Sequence, residues 1–197
     1  MILTKLELSV FDLMELNIND AYGVHKTVYS MFPHCEDRDR DFLYAKNYDR
    51  KKNLNILVLS KRNPTAPDFC KISCKKIPEN FMDFEQYNFR ILANPVRRSV
   101  DSTKLVPIVE NDDLIEWFYM KAKKSGMLVD VSKLDIQDRG VEKVYKGERE
   151  LTFNKARFIG NFKVIDREAF IHAFENGFGR GKGFGFGLLE ITPVMMF

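Results

Sequence analysis

Tyrosine and histidine side chains suited to proton transfer lie near the amino terminus. Tyr22, His25 and Tyr29 are spaced by three and four positions, which makes them neighbours on a helix surface. An imidazole titrates near neutral pH, so His25 could accept and return a proton. Cleavage of RNA through its 2′-hydroxyl needs such proton exchange, and a phenol could orient the reacting groups. The same face is also typical of aromatic side chains that only pack against a core, so the helix alone leaves both interpretations open.

A glycine-rich segment near the carboxyl terminus, residues 177–189, is the second candidate, and it contains six of the chain's eleven glycines. Backbone N–H groups of such a loop can bind phosphate, and two cations add positive charge. The segment lacks the spacing of a dinucleotide fingerprint or a P-loop, while its regular phenylalanines argue against a flexible linker. The predicted phosphate contacts are Gly177, Gly179, Arg180, Lys182, Gly185 and Gly187.

Basic side chains are concentrated in two further places, after a mid-chain strand and along a predicted hairpin. A hairpin of this kind could hold an RNA stem through its phosphates, because A-form RNA hides its base edges. Glutamates alternate with these cations at positions 142, 148 and 150, so an ordinary solvated hairpin remains an alternative. The candidates for RNA binding are Arg97, Arg98, Arg139, Lys143, Lys146, Arg149, Lys155 and Arg157.

The composition is that of a globular protein that can build a real core. The chain has 197 residues, of which 45% are hydrophobic and 30% charged, and a net charge of +3 that permits a nucleic-acid partner. Its three cysteines lack disulfide or zinc spacing, and no carboxylate cluster suggests a metal. The charged run at 37–41 lacks the glycine and glutamate of a calcium loop. We expect a soluble, cytoplasmic protein without metal, other cofactor or membrane partner.

The elements that must position these residues follow from hydrophobic periodicity and helix caps. In the first half we predict a strand over 2–10, a helix over 20–31, and strands over 54–59 and 69–77, with a second helix only weakly indicated at 62–68. In the second half we predict a strand over 87–93, a helix from 112 or 113 to 124, and strand segments over 127–136 and 141–146. A long strand including 158–164, a helix from Asp166 to Asn176 and a last strand over 185–192 follow.

This order predicts an α+β fold. The second half follows the ferredoxin-like βαββαβ order with an inserted hairpin, and the first half begins in the same way. We therefore expect two tandem ferredoxin-like, or RRM-like, units with antiparallel sheets. Residues 1–82 would form the domain with the Tyr22–His25 helix, and residues 83–197 the domain with the basic hairpin and the glycine-rich loop.

Several of these motifs together resemble a known family. The repeated Gly-Phe-Gly of residues 177–187, between a helix and a strand, resembles the glycine-rich signature of the RAMP superfamily of CRISPR RNA-binding proteins. Asp-Ala-Tyr-Gly-Val-His-Lys at 20–26, followed by Met-Phe-Pro at 31–33, resembles the first helix of its CasE-like branch of precursor-crRNA endoribonucleases. Residues 89–95 resemble the mid-chain strand of that branch.

The resemblance implies a metal-independent endoribonuclease with Tyr22 and His25 as its catalytic pair. Such an enzyme binds the stem-loop of CRISPR repeat RNA and cleaves by 2′-hydroxyl attack, which leaves 2′,3′-cyclic phosphate and 5′-hydroxyl ends. Other subunits of a CRISPR effector complex would be further partners. Two alternatives remain: a non-catalytic RNA-binding subunit of such a complex, and a ferredoxin-like domain that binds a small regulatory ligand. The nuclease hypothesis requires His25 to lie beside the glycine-rich loop.

Overall fold

The computed structural model describes residues 1–33, 40–68, 70–99 and 102–195, which form a four-stranded sheet, a five-stranded sheet and a two-stranded ribbon. Every strand pair is antiparallel. His34, Cys35 and positions 37–39 of the charged run lie outside the described residues. None of the described helices is long and apolar enough to cross a lipid bilayer.

The amino-terminal unit has the ferredoxin-like strand order β2-β3-β1-β4. Its elements are β1 (Ile2–Leu8), α1 (Val10–Glu15), α2 (Ala21–Ser30), β2 (Phe42–Tyr48), β3 (Leu54–Ser60) and β4 (Ile72–Lys76). No helix lies between β3 and β4 in residues 61–68 and 70–71, so the weakly indicated helix at 62–68 is absent. The predicted first strand is two residues too long, because Ser9 and Asp12 form a capping box that starts α1. Strand β2 was not predicted.

Helix α2 forms as predicted because both its first turn and its buried face are specified by sequence. The Asp20 carboxylate accepts a hydrogen bond from the Gly23 N–H at 2.8 Å, which caps the helix. Val24 and Val28 are completely buried against the sheet, where Leu6 and Ile56 form part of the same core. Burial of this face fixes the rotation of α2 and directs its adjoining face, with His25, away from the sheet.

The carboxyl-terminal unit has the ferredoxin-like order β11-β5-β10-β8, and β9 extends β10 as a long hairpin. Its elements are β5 (Gln86–Ala93), β6 (Val96–Arg98), β7 (Leu105–Pro107), α3 (Asn111–Lys124), β8 (Met127–Val129), β9 (Asp135–Lys146), β10 (Arg149–Val164), α4 (Arg167–Asn176) and β11 (Glu190–Pro193). The predicted strand over 127–136 is broken by a 3-10 turn at Val131–Lys133. Of the predicted last strand over 185–192, only residues from 190 onwards are strand. The prediction of two tandem ferredoxin-like units is confirmed.

The two units pack against each other through a third apolar cluster. Leu43 and Leu59 of the first sheet contact Phe174 of α4 and Leu188, which precedes β11. Nearby, Lys46 of β2 forms an ion pair with Glu142 of β9, and their side chains are only 9% and 18% exposed. These contacts hold the glycine-rich loop and the base of the hairpin against the amino-terminal unit.

Candidate active site

The glycine-rich segment is a closed loop tied to the carboxyl-terminal sheet. Gly177 ends α4 with a positive φ of 81°. The Phe178 N–H donates to the Gly187 carbonyl at 2.9 Å, and the Gly187 N–H donates to the Leu92 carbonyl of β5 at 2.8 Å. The loop base is therefore fixed, and residues 182–184 form a 3-10 turn at its tip.

Two glycines of the loop are required by space as well as by conformation. Gly187 has a φ of +81°, and a Cβ there would lie 2.3 Å from the Phe178 carbonyl oxygen. Gly185 has a φ of +87°, and a Cβ there would lie 2.9 Å from the ring of Tyr44. Because the N–H of Gly187 already donates within the protein, this residue shapes the loop. Phosphate contact by these glycines stays a prediction.

Phenylalanines hold the loop in place, as their regular spacing predicts. Phe178 packs in the carboxyl-terminal core with its ring centroid 5.3 Å from that of Phe118. Phe184 and Phe186 contact Phe153 of β10, with centroids 5.1 and 5.4 Å away. The loop is thus a packed element that bridges the core, the hairpin base and α2.

His25 lies against the tip of this loop. Its Nδ1 is 2.7 Å from the Gly183 carbonyl oxygen, across 158 residues of sequence. A carbonyl oxygen can only accept a hydrogen bond, so Nδ1 carries the hydrogen and the neutral ring keeps its lone pair on Nε2. The spatial requirement of the nuclease hypothesis is met, because the amino-terminal histidine and the carboxyl-terminal loop form one site.

Aromatic side chains fix the His25 ring from several sides. Phe184 of the loop stacks on it with a centroid distance of 4.9 Å, and Tyr29 lies 4.1 Å away. Tyr22 is nearly parallel to the imidazole at 5.5 Å, and Lys26 lies over the Tyr22 ring. Tyr22 and His25 are both half-buried. The predicted catalytic pair is therefore together in a partly accessible site.

Tyr44 is a site residue that the sequence analysis missed. Its hydroxyl donates to the same Gly183 carbonyl at 2.9 Å, so this oxygen is held by β2 as well as by His25. Burial raises the pKa of Tyr44 well above its ordinary value, and nearby Tyr29 and Glu142 raise it further. Tyr44 therefore stays a hydrogen-bond donor at neutral pH.

Arg40 is the other missed residue. Its Nη1 donates to the hydroxyl of Tyr29 at 3.3 Å. The continuous apolar run at 42–45 could have indicated strand β2, but no local spacing connects that strand to a loop 139 residues away. Tyr44 joins the site because β2 pairs with β3, and Arg40 lies two residues before that strand.

Several of the cations predicted to bind RNA have carboxylate partners. Lys155 and Arg157 pair with Asp138 at 2.7 and 3.3 Å. Lys143 pairs with Glu150 at 3.0 Å, and Arg97 pairs with Asp113 of α3 at 3.2 Å. Of the eight strand and hairpin cations predicted to bind RNA, four are exposed and have no ion pair with any residue that the structure describes: Arg98, Arg139, Lys146 and Arg149. Of the hairpin cations, Arg139, Lys146 and Arg149 are thus the ones without a competing carboxylate.

The loop cations lie beside a lysine of α3 that the sequence analysis did not select. Lys182 donates to the Asn176 carbonyl at 2.7 Å, while Arg180 is exposed. Lys121 lies over the rings of Trp117 and Phe178, each 5.8 Å away. Burial lowers the pKa of Lys121, and the charges of Lys124 and Arg180 lower it further. This side of the loop is positively charged.

Metal-ligating side chains do not converge in the described part of the chain. Among residues 1–33, 40–68, 70–99 and 102–195, no group of three or more His, Cys, Asp or Glu side chains is arranged to hold a metal ion. Cys70 and Cys74 are free thiols. Metal independence of the reaction stays a prediction.

Comparison with protein families identifies the class of protein. The family described as "CRISPR associated protein" matches residues 1–193, and the chain belongs to this family. The resemblance found in the two glycine-phenylalanine repeats and the first long helix is therefore confirmed.

Individual relatives agree with this assignment. The chain is 23% identical over 189 residues to the CRISPR system Cascade subunit CasE of Escherichia coli, a match that covers 89% of this chain and 93% of that protein. It is 25% identical over 195 residues to the CRISPR-associated endoribonuclease Cse3 of Thermus thermophilus, with coverage of 90% and 92%. A solved structure of a CRISPR endoribonuclease Cse3 bound to 19 nt RNA is similar in fold, with a TM-score of 0.85, 20% identity, and coverage of 98% of this chain and 100% of that one.

Proposed function

We propose that this protein is an endoribonuclease that binds the repeat stem-loop of CRISPR precursor transcripts and cleaves it by 2′-hydroxyl attack, which releases guide crRNAs. The observation that carries the proposal is the 2.7 Å contact between His25 Nδ1 and the Gly183 carbonyl. That contact joins a proton-exchanging group to a loop whose backbone N–H groups and cationic side chains are suited to phosphate. Family membership and the names of its relatives support the same activity.

The chemistry needs one new bond, one broken bond and two proton transfers. The 2′-oxygen attacks the adjacent phosphorus as its proton leaves, and the bond from phosphorus to the 5′-oxygen breaks as that oxygen gains a proton. His25 exchanges a proton with the reacting groups through Nε2, because Nδ1 is held by Gly183. Tyr22, stacked on His25, orients the reacting ribose or phosphate. No metal takes part in this scheme.

The RNA stem lies along the basic hairpin in this proposal. Arg139, Lys146 and Arg149 contact its phosphates directly, and the paired cations exchange their carboxylates for phosphate. Loop cations Arg180 and Lys182 hold the backbone near the scissile position. Residues 1–82 form the domain that supplies the proton-transfer helix, and residues 83–197 the domain that supplies the hairpin and loop.

We propose the cytoplasm as the place of this reaction, because precursor transcripts are made there. One relative is named as a Cascade subunit, which supports other subunits of a CRISPR effector complex as partners of this chain. The cleaved repeat RNA would connect it to such a complex.

A cleavage assay tests the proposal directly. Purified protein is incubated with end-labelled repeat RNA in excess EDTA, and the product ends are identified by their sensitivity to phosphatase and kinase. We expect one cut in the repeat, with a 2′,3′-cyclic phosphate and a 5′-hydroxyl. Cleavage that EDTA abolishes would contradict the metal-independent mechanism.

The chief alternative is a non-catalytic RNA-binding subunit with the same fold. It predicts a stable complex with repeat RNA in a gel-shift assay and no products after long incubation. The absence of any salt-dependent RNA binding would instead favour the small-ligand domain.

A further inference from the structure

Arg40 reaches the point where α2 meets the glycine-rich loop. Its Nη1 donates to the Tyr29 hydroxyl at 3.3 Å. A Cβ added at Gly183 would lie 3.2 Å from this same Nη1 and 3.2 Å from the Tyr29 hydroxyl. Gly183 is also the residue whose carbonyl binds His25. The guanidinium therefore borders the candidate site, although Arg40 belongs to none of the motifs that predicted it.

The guanidinium has hydrogen-bonding capacity that the protein does not use. Its Nε is buried and has no hydrogen-bond partner in the described part of the chain. The neighbouring carboxylate of Asp41 pairs with Arg62 at 2.7 Å, and no ion pair among the described residues includes Arg40. A guanidinium with a buried, unpartnered Nε and no carboxylate beside it is unfavourable, so an anionic ligand would stabilise it.

A second cation strengthens this preference for an anion. Burial lowers the pKa of the Lys182 amine, and the charges of Arg40 and Lys121 lower it further. The two charged groups that act on the Lys182 pKa are thus both positive. Their mutual repulsion would be relieved by a phosphate placed between the loop and Arg40.

We propose that Arg40 is a catalytic residue that binds the scissile phosphate, with its Nη groups donating to the non-bridging oxygens. The role rests on the proposed endoribonuclease function. A guanidinium presents donors in a planar fork that matches two oxygens of one phosphate, which a lysine cannot reproduce.

The role of Arg40 follows from the charge change during cleavage. When the 2′-oxygen bonds to phosphorus before the 5′-oxygen has left, the non-bridging oxygens gain negative charge. Arg40 stabilises that charge without gaining or losing a proton, while His25 takes part in the proton transfers. Its contribution is therefore larger in the transition state than in the bound substrate.

Single-turnover cleavage at saturating RNA tests this role. The variants are Arg40→Gln, which removes the charge, and Arg40→Lys, which keeps the charge but loses the fork; Arg50→Gln, in the exposed turn after β2, is the matched control. We expect Arg40→Gln to cleave roughly 10²–10³-fold more slowly, with RNA affinity changed far less. Arg40→Lys should be intermediate, and Arg50→Gln should cleave at the wild-type rate.

A phosphorothioate substrate separates contact from a structural effect. Wild-type protein should cut one diastereomer at the scissile phosphate more slowly than the other, and this difference should shrink in Arg40→Lys and Arg40→Gln. Wild-type rates in both variants, or slower cleavage with the diastereomer difference intact, would overturn the assignment. If wild-type protein binds repeat RNA without cutting it, the proposed function itself fails, and the catalytic role of Arg40 fails with it.

Discussion

At the scale of single residues, the proposed chemistry depends on which nitrogen of His25 carries hydrogen. The Gly183 carbonyl decides this, because it accepts from Nδ1 at 2.7 Å. The Tyr44 hydroxyl holds the same carbonyl at 2.9 Å and so limits its movement. Tyr44 is a positioning residue in this account, since it acts on His25 through Gly183.

Replacement of Tyr44 by phenylalanine tests this positioning. The variant keeps the buried ring but removes the hydrogen bond, so the carbonyl and the His25 ring become less constrained. We expect cleavage at saturating RNA to slow by roughly tenfold, which corresponds to an activation free energy higher by about 1.4 kcal/mol. RNA affinity should be retained. The pH dependence of the rate should change as well, because the His25 environment changes.

Tyr48→Phe is the matched control, since Tyr48 is an exposed tyrosine at the end of the same strand. Equal rates and identical pH profiles for Tyr44→Phe and the wild-type protein would show that the carbonyl needs no second donor.

Sequence alone could select His25 and Tyr22 as a candidate pair because they lie three positions apart on one helix face. Arg40 and Tyr44 could not be found in that way. They reach the site because β2 pairs with β3 and then meets a loop more than 130 residues later, a contact that no local period encodes.

At the scale of elements, the hairpin of β9 and β10 carries most of the cations predicted to bind RNA, but these cations are not equally available. Lys155 and Arg157 share Asp138 as their carboxylate partner. The largest single effect on the Asp138 pKa is burial, which raises it. Hydrogen bonds and charges from the two cations outweigh this effect and lower the pKa. By contrast, Lys146 and Arg149 flank the hairpin turn without a carboxylate partner in the described residues.

The double variant Lys146→Ala/Arg149→Ala should therefore weaken repeat-RNA binding. If each side chain contacts one phosphate, the slope of log affinity against log salt should fall by roughly 2 in magnitude. Lys75→Ala/Lys76→Ala removes two exposed cations from β4 and serves as the control. Fluorescence anisotropy at several salt concentrations measures these slopes. An unchanged slope in the hairpin variant would exclude the hairpin tip from the RNA interface.

Helices were predicted better than strand ends for a physical reason. Caps such as Asp20 and Asp166 mark helix starts within three residues of sequence. Residues 185–189 are apolar like a strand, but the positive φ values of Gly185 and Gly187 bend the chain, and the strand ladder with β5 begins only at Glu190.

At the scale of the whole molecule, the site exists only because the two ferredoxin-like units are packed together. His25 and Tyr44 come from the first unit, whereas Gly183 and Phe153 come from the second. The order of helices and strands predicted the tandem arrangement, but it could not predict the packing of the units, which depends on contacts such as Lys46 with Glu142.

Breaking this ion pair should destabilise the protein. Glu142→Gln leaves the largely buried Lys46 amine without its carboxylate, and we expect the free energy of unfolding to fall by about 3 kcal/mol. Equilibrium urea unfolding measures this change. Glu150→Gln, which breaks the exposed pair with Lys143 on the same hairpin, should have little effect, and equal losses from both variants would contradict the account.

The central claim, that His25 transfers protons in RNA cleavage, is tested most directly by the single-turnover cleavage rate of His25→Ala on repeat RNA. We expect cleavage to slow by ~10²–10⁴-fold while RNA affinity stays close to that of the wild-type protein. His172→Ala, at an exposed histidine of α4, should cleave at the wild-type rate. Undiminished cleavage by His25→Ala would contradict the account.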